Sequence, residues 1–525
     1  MSRMLRSGAI VSAMTMVSRV LGLVRDAIIF HFFPAGGSLD AFFVAFRVPN
    51  LLRRMVAEGA FSLAFIPVLA EYKESRSEED LQKLLNHVAG TLSLVLFGIT
   101  VLGMIAAPLL AMLFAPGFMF GEGQQDGVQA ELTSRLLVIT FPYIFLISLS
   151  AFASAILNTF QKFAVPAFTP VLLNVALISS VIWWAPHFDE PVEALAWGVI
   201  IGGVLQLAFQ IPTLMKLGLL PKPNFKRGHD GVKKIMKLMV PALLGSSVAQ
   251  INILINTAIA SLLAAGSISW LYASDRFVEL PLAIIGVAIG IVILPKLSGD
   301  HINAKGKEFS QTLDWGVRLG LLMSLPAMVG LMWLAKPILA TVLANGVNNW
   351  NLVEMSSLSL ITYSFGLPAF ILVKVLAPGF YSRQNTRTPV RIGMFAVLSN
   401  IVLSMLIVYP WVKLDIIGPH AGLALATALA GYINAGLLLF QLKKQDIYIL
   451  ESQMKQKWLR DLFKIACALL LMSLVIWFLN PADDWWQAST IWPKIGKLLL
   501  LIVTAVVAYF STLFILGVRK GSFRL

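Results

Sequence analysis

Ionisable side chains stand inside apolar runs at four places in this 525-residue chain. Arg19, Arg25 and Asp26 fall in the first run, and Asp40, Arg47, Arg53, Arg54 and Glu58 in the second. Asp275, Arg276 and Glu279 fall in a third, and Lys374 in a fourth. A charge deep in a membrane span costs at least about 2.5 kcal/mol, and those that are kept face a partner or a water-filled cavity. Pairing explains single residues, as where Arg276 neighbours Glu279 at i,i+3, although Asp275 and Glu279 at i,i+4 stack two acids on one face. It does not explain the set, in which seven cations meet five acids. A cavity lined this way attracts an anion, and arginine's planar donor fork suits phosphate oxygens. Other chemistries lack their residues. Cys467 is the single cysteine, the six histidines show no metal-ligand spacing, and no phosphate-binding Gly-rich loop ending in Gly-Lys-Ser/Thr occurs. The expectation is a chain with no metal, no cofactor and no catalytic centre.

Apolar helices must hold these charges in place. The composition, 58% hydrophobic and 13% charged, excludes a soluble globular domain, in which about 25% of residues are charged. Uncharged stretches of spanning length, edged by charge, Pro or Gly, predict an all-α polytopic membrane protein of fourteen helices. They lie near 7–33, 38–71, 84–115, 131–160, 165–186, 191–216, 232–264, 268–298, 312–343, 355–381, 388–411, 419–442, 458–480 and 491–517. The start, Met1 to Ser18, reads as part of an uncleaved first span. Alternate loops sort by charge. One set collects lysine and arginine, as between Lys216 and Lys237, whereas the loops around Gly36, Gly121 to Gly127, Gly266 and Asn345 to Asn351 carry none. The net charge of +14 is therefore a topology signal rather than a nucleic-acid footprint, and it places both termini in the cytoplasm.

Shifting the chain by about 229 positions sets Ala35, Gly37, Ser38 and Arg47 on Ala264, Gly266, Ser267 and Arg276. A weaker echo sets Thr140, Gln161 and Pro166 on Thr362, Gln384 and Pro389. Six helices separate the matching segments, so the halves share orientation and are related by an axis along the membrane normal, as in transporters. The expected domains are an N-lobe over 1–220, a C-lobe over 221–445 and a C-terminal helix pair over 446–525. Pro49 and Pro281 interrupt corresponding spans beside the charges and are candidate hinges.

The second span is the most specific text in the chain. The run from Asp40 through Arg47-Val48-Pro49-Asn50-Leu51-Leu52-Arg53-Arg54 to Glu58-Gly59-Ala60-Phe61-Ser62 closely resembles the signature of the MurJ (MviN) lipid II flippases. That family belongs to the multidrug/oligosaccharidyl-lipid/polysaccharide exporter superfamily. Further matches are Ser18-Arg19-Val20-Leu21-Gly22 with Arg25-Asp26, the Asp275-Arg276 segment, and Lys374-Val375-Leu376-Ala377-Pro378-Gly379-Phe380-Tyr381. The resemblance implies two parallel six-helix lobes, a C-terminal helix pair forming a groove for the lipid tail, and alternating-access transport of undecaprenyl-pyrophosphate-linked peptidoglycan precursor across the bacterial inner membrane. It implies Arg19, Arg25, Asp40, Arg53, Arg54 and Arg276 as substrate-binding residues, supported by Asp26, Arg47, Glu58, Asp275, Glu279 and Lys374. The implied partners are lipid II and membrane lipids, with the cell-wall synthesis machinery as a further candidate. The alternative is a cation-coupled multidrug or polysaccharide-lipid exporter of the same superfamily, whose cavity for organic cations should be net acidic.

Overall fold

The computed structural model describes residues 3–55, 61–120, 127–226, 228–303, 306–343, 350–449 and 452–518. Every secondary-structure element among them is helical. A lipid environment demands this, because a helix satisfies its own backbone hydrogen bonds where water is absent. Eleven helices among the described residues are long and apolar enough to cross a membrane. They coincide with the spans expected third to sixth and eighth to fourteenth. The segments expected as spans one, two and seven are helical too, over Arg3–Phe32, Gly37–Leu52 with Ser62–Ser75, and Asp230–Ser261. The first of these carries Arg19, Arg25 and Asp26, and Glu58 of the second lies outside the described residues.

The chain divides into two compact units, Met1–Ser269 and Trp270–Leu525. Helix Asp230–Ser261 packs with the first, against Ser62–Ser75 and Glu78–Ile105. This division follows packing, whereas the lobe boundary expected near 220 rests on the sequence repeat.

Each unit has its own apolar core, and the two cores draw on matching stretches of sequence. In the first unit Phe61, Phe65, Leu69, Leu84, Leu85, Phe152 and Ile156 are buried together, with the Phe65 and Phe152 rings edge to face at 5.1 Å. In the second the cluster is built from Ile293, Leu297, Leu313, Val317, Val375, Phe380 and Leu442. The backbone repeats as well. Gln161 and Gln384, matched in the sequence echo, both take the left-handed conformation, with φ of 59° and 57°. Non-glycine residues adopt that region seldom, so its recurrence at two matched glutamines marks a shared turn rather than shared composition.

The last two long helices, Ser452–Leu479 and Ile491–Ile515, pack on each other and on the second unit. Arg318, on helix Gly306–Trp333, pairs with Asp314 of its own helix at 2.7 Å and reaches Asp461 of Ser452–Leu479 at 3.2 Å, its guanidinium lying over Trp458. Tyr448 and Trp458 both donate to Asp314 Oδ1 at 2.8 Å. Farther along, the Tyr509 hydroxyl donates to the Leu322 carbonyl at 2.8 Å. Polar anchors of this kind give specific register where packing against lipid gives none.

Candidate functional site

Arg25 is 6% exposed and Asp26 2%, both on helix Arg3–Phe32. Arg25 donates from Nε to Asp26 Oδ1 at 2.9 Å and from a terminal nitrogen to the same oxygen at 2.5 Å. Its other terminal nitrogen donates to Asn174 Oδ1 at 3.0 Å. Asn174, on helix Ala164–Trp183, in turn donates to the Ser18 carbonyl at 3.1 Å. All three guanidinium nitrogens are engaged, so this arginine is a fixed part of the first unit. Arg19, about two turns earlier on the same helix, is exposed.

The segment expected as the second span distributes its charges differently. Pro49 lies within Gly37–Leu52, and residues 53–55 continue as a π-helical turn. A turn of that kind widens the helix and reorients the side chains it carries. Arg53 donates from Nε to Asn50 Oδ1 at 2.9 Å and is half-buried, while Arg54 is exposed. Arg47, half-buried, donates to the Thr257 hydroxyl.

Asp40 stands apart from the arginines. It is 2% exposed, and Gly266 N–H and Ser269 N–H donate to its two carboxylate oxygens at 2.7 Å each, joined by the Ser269 hydroxyl. Those amides belong to the turn and first turn of helix Ser267–Pro281, where backbone N–H groups lack intrahelical partners and the helix dipole favours an anion. Gly266 makes this turn possible, since its φ of 98° suits glycine. The carboxylate thus fastens the start of the second span to the loop that the repeat matches with its own.

In the second unit Arg276 lies 3.5 Å from Glu279 and over the Tyr272 ring, and Asp275 is exposed. Pro281 ends its α-helix, and a π-helical turn, Leu282–Gly286, follows before helix Val287–Ile302. Both proline-bearing spans therefore contain a π-turn shortly after the proline. Lys374, on helix Leu367–Tyr381, is exposed, with its stem against the π-turn where Gly286 leaves room: a Cβ there would sit 3.4 Å from Lys374 Cγ. Asn50, Asn174 and Thr257 are partners that the charge count did not single out. An uncharged amide in the middle of an apolar span, as at Asn174, is the signal that points to such a partner.

The family described as Lipid II flippase MurJ matches residues 29–494. A probable lipid II flippase MurJ of Haemophilus influenzae is 44% identical over 516 residues, covering 97% of this chain and 99% of the relative. A lipid II flippase MurJ of Burkholderia cenocepacia is 40% identical over 521 residues, covering 98% of each. Among solved structures, a lipid II flippase MurJ in an inward closed conformation aligns with a TM-score of 0.76 at 28% identity, over 96% of this chain and 99% of that one. An inward-facing MATE family multidrug resistance transporter of the MOP superfamily aligns with a TM-score of 0.68 at 14% identity, over 85% of this chain and 99% of that one, which shows a shared fold.

Proposed function

Because the chain belongs to the lipid II flippase MurJ family, we propose that it carries lipid II from the cytoplasmic to the outer leaflet of the bacterial inner membrane by alternating access, for cell-wall synthesis. The observation that carries this reading is the set of intramembrane arginines kept by a chain of this family. Bidentate donors on Arg19, Arg53, Arg54 and Arg276 hold the pyrophosphate. Arg25, locked by Asp26 and Asn174, sets the orientation of the helix that bears Arg19. Arg47, Glu58, Asp275, Glu279 and Lys374 tune the charge of the same path. Asp40 acts as a latch on the non-cytoplasmic side: its bonds to Gly266 and Ser269 hold in one state and break in the other.

The architecture that goes with this function is fourteen spans, with two parallel six-helix lobes over 1–220 and 221–445. Helices thirteen and fourteen, over 446–525, form a groove for the prenyl tail, and both termini are cytoplasmic. The matched cores and the paired left-handed glutamines support the parallel repeat. Lipid II and membrane lipids are the partners, and the cell-wall synthesis machinery that consumes the product is the further one. The drug-exporter alternative retains the shared fold, but an excess of cations repels organic cations.

The test is depletion of the chain in its host, with the leaflet of lipid II read by an enzyme or probe confined to the outer face. Lipid II should accumulate on the cytoplasmic leaflet while wall synthesis stops. Continued appearance of lipid II on the outer leaflet after depletion would overturn the reading.

A further inference from the structure

A second feature of the first unit is not lined by any of the arginines discussed so far. Helices Ala107–Phe114 and Val128–Thr140 flank a groove of about 590 Å3, within the size range of small-molecule sites. Its long wall is apolar, formed by Leu109, Met112, Met119 and Val138, while one end carries Glu131 and Arg135. Leu102, Ile105, Leu109 and Leu113, one turn apart, are all exposed. That face is what a lipid-facing helix presents, and the groove continues it. The charged end sits by Gly127, in the cation-free loop Gly121 to Gly127 that the charge pattern puts outside the cytoplasm.

The charges at that end are arranged unlike a salt bridge. Glu131 and Arg135 are spaced i,i+4 on one helix, yet Arg135 Nε bonds Glu193 at 2.9 Å instead. Beyond Glu193 no side-chain partner of Arg135 is found among the described residues, and the Glu131 carboxylate has none there. One cation therefore stands between two acids. A purely anionic headgroup meets net negative charge there. A headgroup with a phosphate and a primary ammonium meets a complementary pair: the phosphate on the Arg135 fork, the ammonium donating to Glu131, the acyl chains along Leu109 and Val138. A quaternary ammonium carries the charge but has no N–H to donate.

We propose that this groove binds an amine-headed zwitterionic phospholipid of the phosphatidylethanolamine class from the leaflet facing the cation-poor loops. None of the arginines assigned to the transported substrate lines it. It gives the first unit a lipid-selective contact on its membrane-facing side.

The experiment uses the full chain, purified and stripped of lipid, then offered an equimolar mixture of phosphatidylethanolamine, phosphatidylglycerol and phosphatidylcholine with identical acyl chains. Retained lipid is counted by native mass spectrometry, and adducts of a photoactivatable phosphatidylethanolamine are mapped by peptide sequencing. Phosphatidylethanolamine should be retained about five-fold over either competitor, the scale of one or two partly exposed charge contacts, with adducts in 105–138. Glu131→Gln and Arg135→Ala should each erase the preference. Val138→Trp, which fills the wall and leaves the charges intact, should lower adduct yield in 105–138. A cooperative thermal unfolding transition in each variant, lowered somewhat in Arg135→Ala by the loss of its pair with Glu193, shows that the fold survives. Equal retention of the three lipids, a preference that survives both charge substitutions, or adducts confined to other segments would each overturn the proposal.

Discussion

At the residue scale, the arginines sort by what holds them. Arg19 and Arg54 are exposed, whereas Arg25 is buried against Asp26 and Asn174. Arg19→Ala or Arg54→Ala should abolish lipid II transport while the protein still inserts at normal levels. Lysine at either position should restore it only in part, since an ammonium keeps the charge and loses the fork. Full complementation by the alanine variants would defeat the anion-binding role. Asp26→Asn should act through the fold, because removing one partner of a buried pair leaves the other charge uncompensated, at about 3–5 kcal/mol. Reduced expression and a lower melting temperature are the readouts. Asn174→Leu should have a milder effect of the same kind: Arg25 keeps Asp26 but loses one acceptor, and the Ser18 carbonyl loses its donor. Much of this was legible in the sequence, because an ionisable group in an apolar run announces itself. Its partners were less so. Arg19 and Asp26 share a helical face, yet Asp26 bonds its chain neighbour Arg25, since a guanidinium's reach outweighs helical spacing.

At the scale of the element, the segment between helices Ile211–Lys216 and Asp230–Ser261 is tied down. Gln82 Nε2 donates to the Leu220 carbonyl at 3.0 Å, while Asn86 accepts from Lys222 N–H at 2.7 Å through its side chain and from Asn224 N–H at 2.9 Å through its carbonyl. The strap ends at His229, whose Nδ1 accepts from Gly231 N–H at 3.2 Å and so caps helix Asp230–Ser261. His87 stacks on it at 4.8 Å. Burial first, and then the nearby His87, hold the His229 pKa below its ordinary 6.5, against smaller opposite pulls from Asp230 and Asp80. A group with a lowered folded pKa binds fewer protons in the folded state. Its contribution is therefore fully present above about 6.5 and fades as pH falls below that value. A protonated Nδ1 also cannot accept, which removes a cap of about 1 kcal/mol. Amide exchange across 217–231, corrected for intrinsic rates, should speed up between pH 7.5 and pH 5.5. His229→Asn, which caps without titrating, should flatten that dependence. A parent profile as flat as the variant's would refute the capping role. In the sequence this stretch was legible only as a basic loop, since its ties run through uncharged amides and backbone groups that composition does not reveal.

Over the whole molecule, the fold was legible because uncharged apolar length is a strong signal, and the spans expected third to sixth and eighth to fourteenth coincide with eleven described helices. The repeat was faint by comparison. Few identities survive because packing against lipid accepts many apolar residues at one position, whereas backbone geometry such as the left-handed turns at Gln161 and Gln384 persists. If the lobes of that repeat rock about a midplane site, the bonds from Asp40 to Gly266 and Ser269 must break once in every cycle. Gly36 and Ala264 report on that junction. Asp40 N–H donates to the Gly36 carbonyl, Ser267 N–H donates to the Ala264 carbonyl, and Ala264 is exposed. Gly36 is extended and its nearest neighbour to a new Cβ is 4.0 Å away, whereas a Cβ on Gly37 would collide with Gln129. In a Cys467→Ala background, Gly36→Cys with Ala264→Cys should be joined by a short, reducible bifunctional maleimide. Transport should stop when the bridge forms and return on reduction, while each single cysteine treated alike keeps transporting. Unchanged transport with the bridge in place would sink the rocking cycle and the latch role of Asp40, and would leave the arginine assignments standing.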